Sequence, residues 1–412
     1  METNIFDTVL ADEGLFTNKE ALRHSYTPKE LPHREKEIES IRLNLVEALR
    51  GQIPSNMILY GVTGAGKTAV TRFICEQLSQ KGEELGRAVN PVVVNCRNID
   101  TQYRVLANIG NSLIQNFEEE IPFTGWPTDR VLRTLINRME KVGGVHVIVL
   151  DEIDHLVRKG GDDLLYNLTN INTELNNSRC CVIGISNDLT FTDYLDPRVR
   201  SRLGQEDVVF APYNAKQLKD ILKQRVSVSI KKGTLEKGVI RLCSALAAQE
   251  HGDARRALDL LRVSAEKATH ERSEKVSERH VRMAQNQIEC DQITPVIATL
   301  PFQQKLVLFS VLLNEHQGLQ NIATGEVYEM YKQACKHAKT TRLTQRRVTD
   351  LISNLDMLGL ITAKTVSKGR YGRSKEINSC IPNTIQVGEI MVNADASMGS
   401  VVEAKYKIQT RL

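Results

Sequence analysis

The 412-residue sequence predicts an α/β fold in three successive parts: a core on a parallel sheet, an all-helical segment, and a terminal domain of three helices and a β-hairpin. Three observations predict it. The first is Gly61-Val62-Thr63-Gly64-Ala65-Gly66-Lys67-Thr68, which fits the phosphate-binding loop pattern G-x-x-x-x-G-K-[ST] at every fixed position. Average residue usage gives about one chance match per hundred chains of this size. The second is Val145-His146-Val147-Ile148-Val149-Leu150-Asp151-Glu152, a continuous apolar run that ends in two acids. Such a run suits a strand buried on both faces. The third is the change of pattern after Pro295, where three helical stretches are followed by two β-rich runs around a basic, glycine-containing turn.

Taken in order, residues 1–25 show no periodicity and read as an arm. Pro28 and Pro32 make residues 26–37 extended or turning, and a helix is expected over about 35–50. Residues 56–60 read as a short buried strand and 69–78 as an amphipathic helix. Between them the glycines let backbone N–H groups turn onto phosphate oxygens at a helix N-terminus. Lys67 is expected to reach the β/γ-phosphates and the Thr68 hydroxyl to ligate Mg²⁺. A strand follows over 91–95, a helix over 101–117, a break at Pro122, Gly125 and Pro127, and a helix capped by Thr128. Asp151, at the end of its strand, can hold the Mg²⁺ hydration shell opposite Thr68. Glu152 can orient and deprotonate a water.

The strand over 181–186 ends at Asn187, which would lie beside the Asp151 strand and point at a γ-phosphate. Arg198, Arg200 and Arg202 either form a surface cluster or reach a nucleotide in trans. Residues 208–210 read as a strand, and Pro212 ends the core. Residues 214–289 read as helical throughout. Asp253 caps one of these helices. Arg255 in its first turn is disfavoured by the helix dipole, which calls for an anionic ligand.

In the terminal domain, helices are expected over 302–314, from a cap at Thr324, and from Thr344. The third carries Val348, Leu351, Ile352, Leu355 and Leu358 on one face and stops at Gly359. Three helices and a hairpin make a winged helix. The third helix sits in the recognition position and exposes Gln345, Arg346 and Thr349. Arg370, Tyr371 and Arg373 form the wing tip. Residues beyond Met391 offer no reading.

Net charge is only +4, but residues 331–375 hold eleven basic and two acidic side chains, leaving −5 for the remainder. That concentration is the footprint of a polyanion partner. No apolar run approaches the length that spans a bilayer, and Met1-Glu2-Thr3-Asn4 shows no basic segment followed by an apolar one, so no secretory signal is expected. The eight cysteines show no C-x-x-C or zinc spacing, so reduced thiols in a cytosol are expected, with Cys180 and Cys181 as core residues.

Together these residues resemble the initiator clade of AAA+ ATPases, and more closely the archaeal origin-recognition/cell-division-cycle proteins, over about residues 15–390. The specific motifs are Leu31-Pro32-His33-Arg34-Glu35, Gly125-Trp126-Pro127-Thr128-Asp129 and Gly252-Asp253-Ala254-Arg255-Arg256-Ala257-Leu258. The resemblance implies an AAA+ P-loop core over 26–212 with a helical insertion at about 101–123. It implies a helical lid over 213–292, a winged-helix DNA-binding domain over 293–390 and a tail over 391–412. Tyr26, Pro28, Pro32 and Arg34 would lie near adenine, and the loop through Ala69 would hold the phosphates. Asn187 would be the first sensor and Arg255 the second. Arg202 best matches an arginine finger, with Arg200 next. The implied activity is slow ATP hydrolysis as a switch, with ATP/ADP and Mg²⁺. The implied partners are double-stranded origin DNA, a replicative helicase and other initiator copies, in the cytoplasm at the nucleoid and away from membranes. Two other classes share some parts: a branch-migration motor, which needs a closed hexamer, and a nucleotide-switched transcription regulator, which needs promoter sites.

Overall fold

A computed structural model of the protein describes residues 14–99, 101–115, 118–367, 373–381 and 387–406. The chain divides into two compact units, Met1–Val281 and Arg282–Leu412.

The first unit contains helix α1 (Glu35–Leu49) and five strands: β1 (Met57–Gly61), β2 (Val89–Asn95), β3 (Gly144–Asp151), β4 (Ser178–Ser186) and β5 (Glu206–Phe210). All are parallel, in the order β2-β3-β4-β1-β5. Crossovers carry α2 (Lys67–Glu84), α3 (Gln102–Ser112), α4 (Thr128–Val142), α5 (Ile153–Gly160), α6 (Asp163–Asn170) and α7 (Pro197–Leu203). Alternate side chains enter two apolar layers. Ile58, Tyr60, Ile148 and Leu150 face one layer, and Met57, Leu59, Val147 and Val149 face the other. Burial on both faces is why β3 is apolar without alternation.

Two boundaries differ from expectation. Helix α3 stops at Ser112, short of 117. There the chain folds back, and the Asn111 side chain brackets Ile121, donating to its carbonyl at 2.9 Å and accepting from its N–H at 2.8 Å. Buried Arg138 fixes the same corner by donating to the Gly110 carbonyl at 2.8 Å. Thr128 is the first residue of α4; the cap is Pro127, whose carbonyl accepts from the N–H groups of Arg130 and Val131.

The rest of this unit is helical: α8 (Ala215–Ser229), α9 (Val239–Gln249), α10 (Ala254–His270) and the start of α11 (Glu278–Thr299). A reciprocal capping box of Asn214 and Gln217 opens α8, and Asp253 caps α10 by accepting from the N–H groups of Arg255 and Arg256. The described part of the expected arm docks on these helices. Phe16 bridges Ile230, Lys19 pairs with Glu266 at 3.0 Å, and Ala21 and Leu22 are fully buried. Three buried side chains, Leu15, Ala21 and Leu22, are too few to show as periodicity.

The second unit holds α12 (Phe302–His316), β6 (Ile322–Ala323), α13 (Thr324–His337), α14 (Gln345–Met357), β7 (Ile361–Ser367) and β8 (Arg373–Ser379). The strands are antiparallel in the order β6-β8-β7, giving a winged helix with a short third strand. Thr324 begins α13 rather than capping it; Glu326 reaches back to accept from the Ala323 N–H at 2.8 Å. Thr344 does cap α14. Val348, Leu351, Ile352 and Leu355 are buried as expected, whereas Leu358, past the end of the helix, is 49% exposed. The described residues from 391 to 406, a stretch that offered no reading, complete this core. Helix α15 (Val387–Ala394), the 3-10 turn Ala396–Met398 and α16 (Gly399–Val402) bury Met391, Met398 and Val401 in it. Among the described residues no helix is long and apolar enough to cross a membrane.

Candidate functional site

The carboxyl ends of β1, β2, β3 and β4 define the site. Gly64 and Gly66 hold left-handed backbone, φ 71° and 95°, which lets the loop from β1 turn sharply into α2. Neither position has room for a side chain. A Cβ on Gly64 would meet Asp253 Oδ1 at 1.7 Å, and one on Gly66 would meet the Tyr213 hydroxyl at 2.8 Å. The loop carbonyl of Gly64 accepts from the Ala254 N–H at 3.3 Å, so the first turn of α10 is tied directly to the loop.

Lys67 opens α2 and is buried. Its Nζ donates to the carbonyls of Gly61 at 2.7 Å and Val62 at 2.9 Å, and to Asn187 Oδ1 at 2.9 Å. Burial pushes this ammonium down to about 8; Asp151 opposes the shift and Arg255 adds to it. Thr68 Oγ1 donates to Asp151 Oδ2 at 3.0 Å. Glu152 caps α5 in the left-handed conformation, φ 56°. For a side chain other than glycine that geometry is unusual, and it sits here beside the candidate chemistry. Its Oε2 is buried without a hydrogen bond, 3.9 Å from Arg97 Nη1.

One cavity of about 380 Å³ gathers most of the expected residues. Tyr26, Pro28, Pro32, Gly64, Ala65, Gly66, Lys67, Thr68, Ala69, Asp151, Glu152, Asn187 and Arg255 all line it. Gly61, Val62 and Thr63 form the limb of the loop outside the lining. Arg34 also lies behind the loop. Its Nε donates to the Ala65 carbonyl and the Tyr213 hydroxyl, each at 2.9 Å, and Nη1 pairs with Glu37 at 2.7 Å. Arg34 therefore braces the loop from outside the lining. Arg202 is exposed on α7, away from the lining, and its carbonyl accepts from Asn56 Nδ2 at 2.9 Å.

The residues present fit a magnesium nucleotide. The donors converge on a glycine loop, a hydroxyl and a carboxylate oxygen stand as hard ligands, and two buried polar groups in the lining, Glu152 Oε2 and the Arg225 guanidinium, lack full partners.

In the winged helix, Gln345 and Arg346 are exposed on the first turn of α14. Thr349 is half-buried, and its hydroxyl donates back to the Gln345 carbonyl at 3.0 Å, so its own helix already engages it. Arg370 and Tyr371 lie outside the described residues. Arg373 opens β8, and its side chain is likewise outside them. The hairpin is braced on α14 by Lys375 Nζ, which donates to Ser353 Oγ at 2.6 Å.

Three stretches match known family models: residues 30–183 an AAA ATPase domain, 219–286 the Cdc6 AAA+ ATPase-type lid domain, and 295–385 the CDC6 C-terminal winged helix domain. An ORC1-type DNA replication protein 1 of Methanosarcina acetivorans is 52% identical over 380 residues, 92% of this chain and 91% of that protein. The chain belongs to the family of ORC1-type DNA replication proteins. A Thermococcus onnurineus member is 53% identical over 377 residues, 91% of this chain and 90% of that protein. The solved structure of the Aeropyrum pernix ORC1 protein in complex with DNA matches with a TM-score of 0.74 and 42% identity, covering 93% of this chain and 98% of that one.

Within this ORC1-type chain, sequence reasoning missed lining residues such as Asn95 and Arg225, and a support outside the lining, Asp154. Asn95 closes β2 as Asp151 closes β3, so its place at the end of a buried strand was the available signal. Buried Asp154 accepts from Ser186 Oγ at 3.3 Å and from the Asn187 N–H at 3.4 Å, orienting the Asn187 backbone. Arg225 shares an apolar helix face with Leu218, Ile221 and Leu222, and a charge on such a face was its signal.

Proposed function

We propose that this chain is an ATP-regulated initiator that binds double-stranded origin DNA and starts DNA replication. The observation that carries the reading is the shared cavity: Arg255, from the helical segment, enters the same space as Lys67, Thr68, Asp151 and Asn187 from the sheet. A nucleotide there touches both parts of the unit, so its γ-phosphate can set their relative angle. Family membership and the winged helix supply the DNA side of the reading.

Bound MgATP supplies the transferable phosphoryl group and the cation that offsets its charge. The loop amides and Lys67 bind and orient the phosphates. Thr68 and Asp151 hold the cation. Glu152 Oε2 takes the proton from the attacking water, and Asn187, steadied by Asp154, positions that water. Arg255 senses the γ-phosphate from α10. Arg202, exposed and remote from its own cavity, acts in trans on the site of a neighbouring copy. An isolated monomer is then a slow ATPase, and hydrolysis is a reset. On DNA the winged helix places Gln345 and Arg346 against base edges, with the basic hairpin on phosphates. Recruitment of a replicative helicase follows from the ATP-bound arrangement.

Footprinting of the purified protein on its own genome's origin DNA, with ATP and with ADP, tests this reading. Protection at the origin that differs between the two nucleotides is expected. Protection scattered over promoters, with none at origins, would sink it.

A further inference from the structure

Arg225 projects from α8 and lines the cavity together with Tyr26, Pro28, Ile221 and Leu258. It is only 8% exposed. Its carbon Cζ lies 4.8 Å over the Tyr26 ring, and Nη2 donates to the Tyr26 carbonyl at 3.4 Å, a long bond. Nε and Nη1 have no hydrogen-bond partner among the described residues. No carboxylate pairs with it there. Tyr26, Pro28, Ile221 and Leu258 share the lining with polar Ser25, Thr27 and Gln224, and burial pushes the guanidinium below its ordinary value. A buried guanidinium with two idle donors is costly unless a ligand completes it. The tyrosine holds it in place, which leaves those donors fixed in direction before anything binds.

We propose that Arg225 is the base-reading residue of the site: one of its idle donors, Nε or Nη1, donates to a ring-nitrogen acceptor of a purine seated beside Tyr26. The proposal rests on the nucleotide reading above and deepens it. Lone pairs on a purine ring suit these donors. A purine carries a fused second ring and more ring-nitrogen acceptors than a pyrimidine, so it offers the donor more partners. Selection for the purine therefore arises in the helical segment, whereas the phosphates are held by the sheet.

The test is equilibrium binding and thermal shift on the full-length protein with Mg²⁺ and ATP, CTP, 7-deaza-ATP, 3-deaza-ATP or tripolyphosphate. For wild type, at least one deaza analogue and CTP should bind about ten-fold or more weakly than ATP. Arg225→Met should weaken ATP by a similar factor, leave tripolyphosphate unchanged, and no longer distinguish ATP from the deaza analogue. Its ligand-free melting temperature should not fall, because an unpaired buried charge is removed. Equal binding of ATP and both deaza analogues by wild type would overturn the proposal without any variant. So would an Arg225→Met protein that loses ATP and tripolyphosphate alike. A wild-type protein that binds neither ATP nor tripolyphosphate would overturn the nucleotide reading itself, and base reading with it.

Discussion

At the scale of the residue, Lys67 makes the sharpest prediction. Its folded value of about 8 lies below the ordinary 10.5 because the ammonium is buried. The unfolded chain therefore holds that proton more tightly, and ligand-free stability rises as pH climbs from about 8 to about 10.5. Lys67→Met should abolish that rise in denaturation curves. A phosphate beside Nζ favours the charged form again, so ATP binding at pH near 9 should take up close to one proton. Calorimetry in two buffers of different ionisation enthalpy reads this directly. Glu152→Gln should keep ATP binding and slow single-turnover hydrolysis by about 10²–10⁴-fold, the usual worth of a positioned base.

Elements carry the next predictions. Arg346→Ala on α14 should cost about 1–3 kcal/mol of DNA binding and relax preference at one base pair if it reads a guanine. Arg370→Ala or Arg373→Ala in the wing should weaken binding to all sequences and flatten the salt slope by about one unit. If none of these changes affinity, the winged helix is not the DNA reader. The docked segment before α1 is testable separately: Leu22→Ala, at a fully buried position, should lower stability by about 2–5 kcal/mol in denaturant titration. This is also the scale at which sequence legibility divides. β1, β3 and α14 were readable because their burial repeats locally, and the loop because its glycines have one mechanical use. Arg34, Tyr213 and Asp154 were not readable as supports, since each acts through a contact distant in sequence or through a backbone group. The C-terminal helices escaped because Met391, Met398 and Val401 are single anchors without a period.

For the molecule as a whole, the two units have separate cores. Calorimetry of the intact protein should show two transitions, with MgATP raising one of them. At a hundred times Kd the linkage is about 2.7 kcal/mol. Arg202→Ala should leave the turnover of the isolated monomer unchanged and lower it when copies meet on DNA. A fast monomer insensitive to that change would rule out the in-trans arrangement.

The sheet order has a consequence for the newborn chain. β1, with the apolar run Met57-Ile58-Leu59-Tyr60, lies between β4 and β5, and both are encoded far downstream at Ser178–Ser186 and Glu206–Phe210. At roughly 5–20 residues per second of synthesis, β1 waits on the order of 6–25 s on the ribosome before either neighbour exists. During that interval the strand that leads into the phosphate loop is apolar, unpaired and open to the wrong partner, so slower translation lengthens the exposure and a chaperone that covers it shortens it.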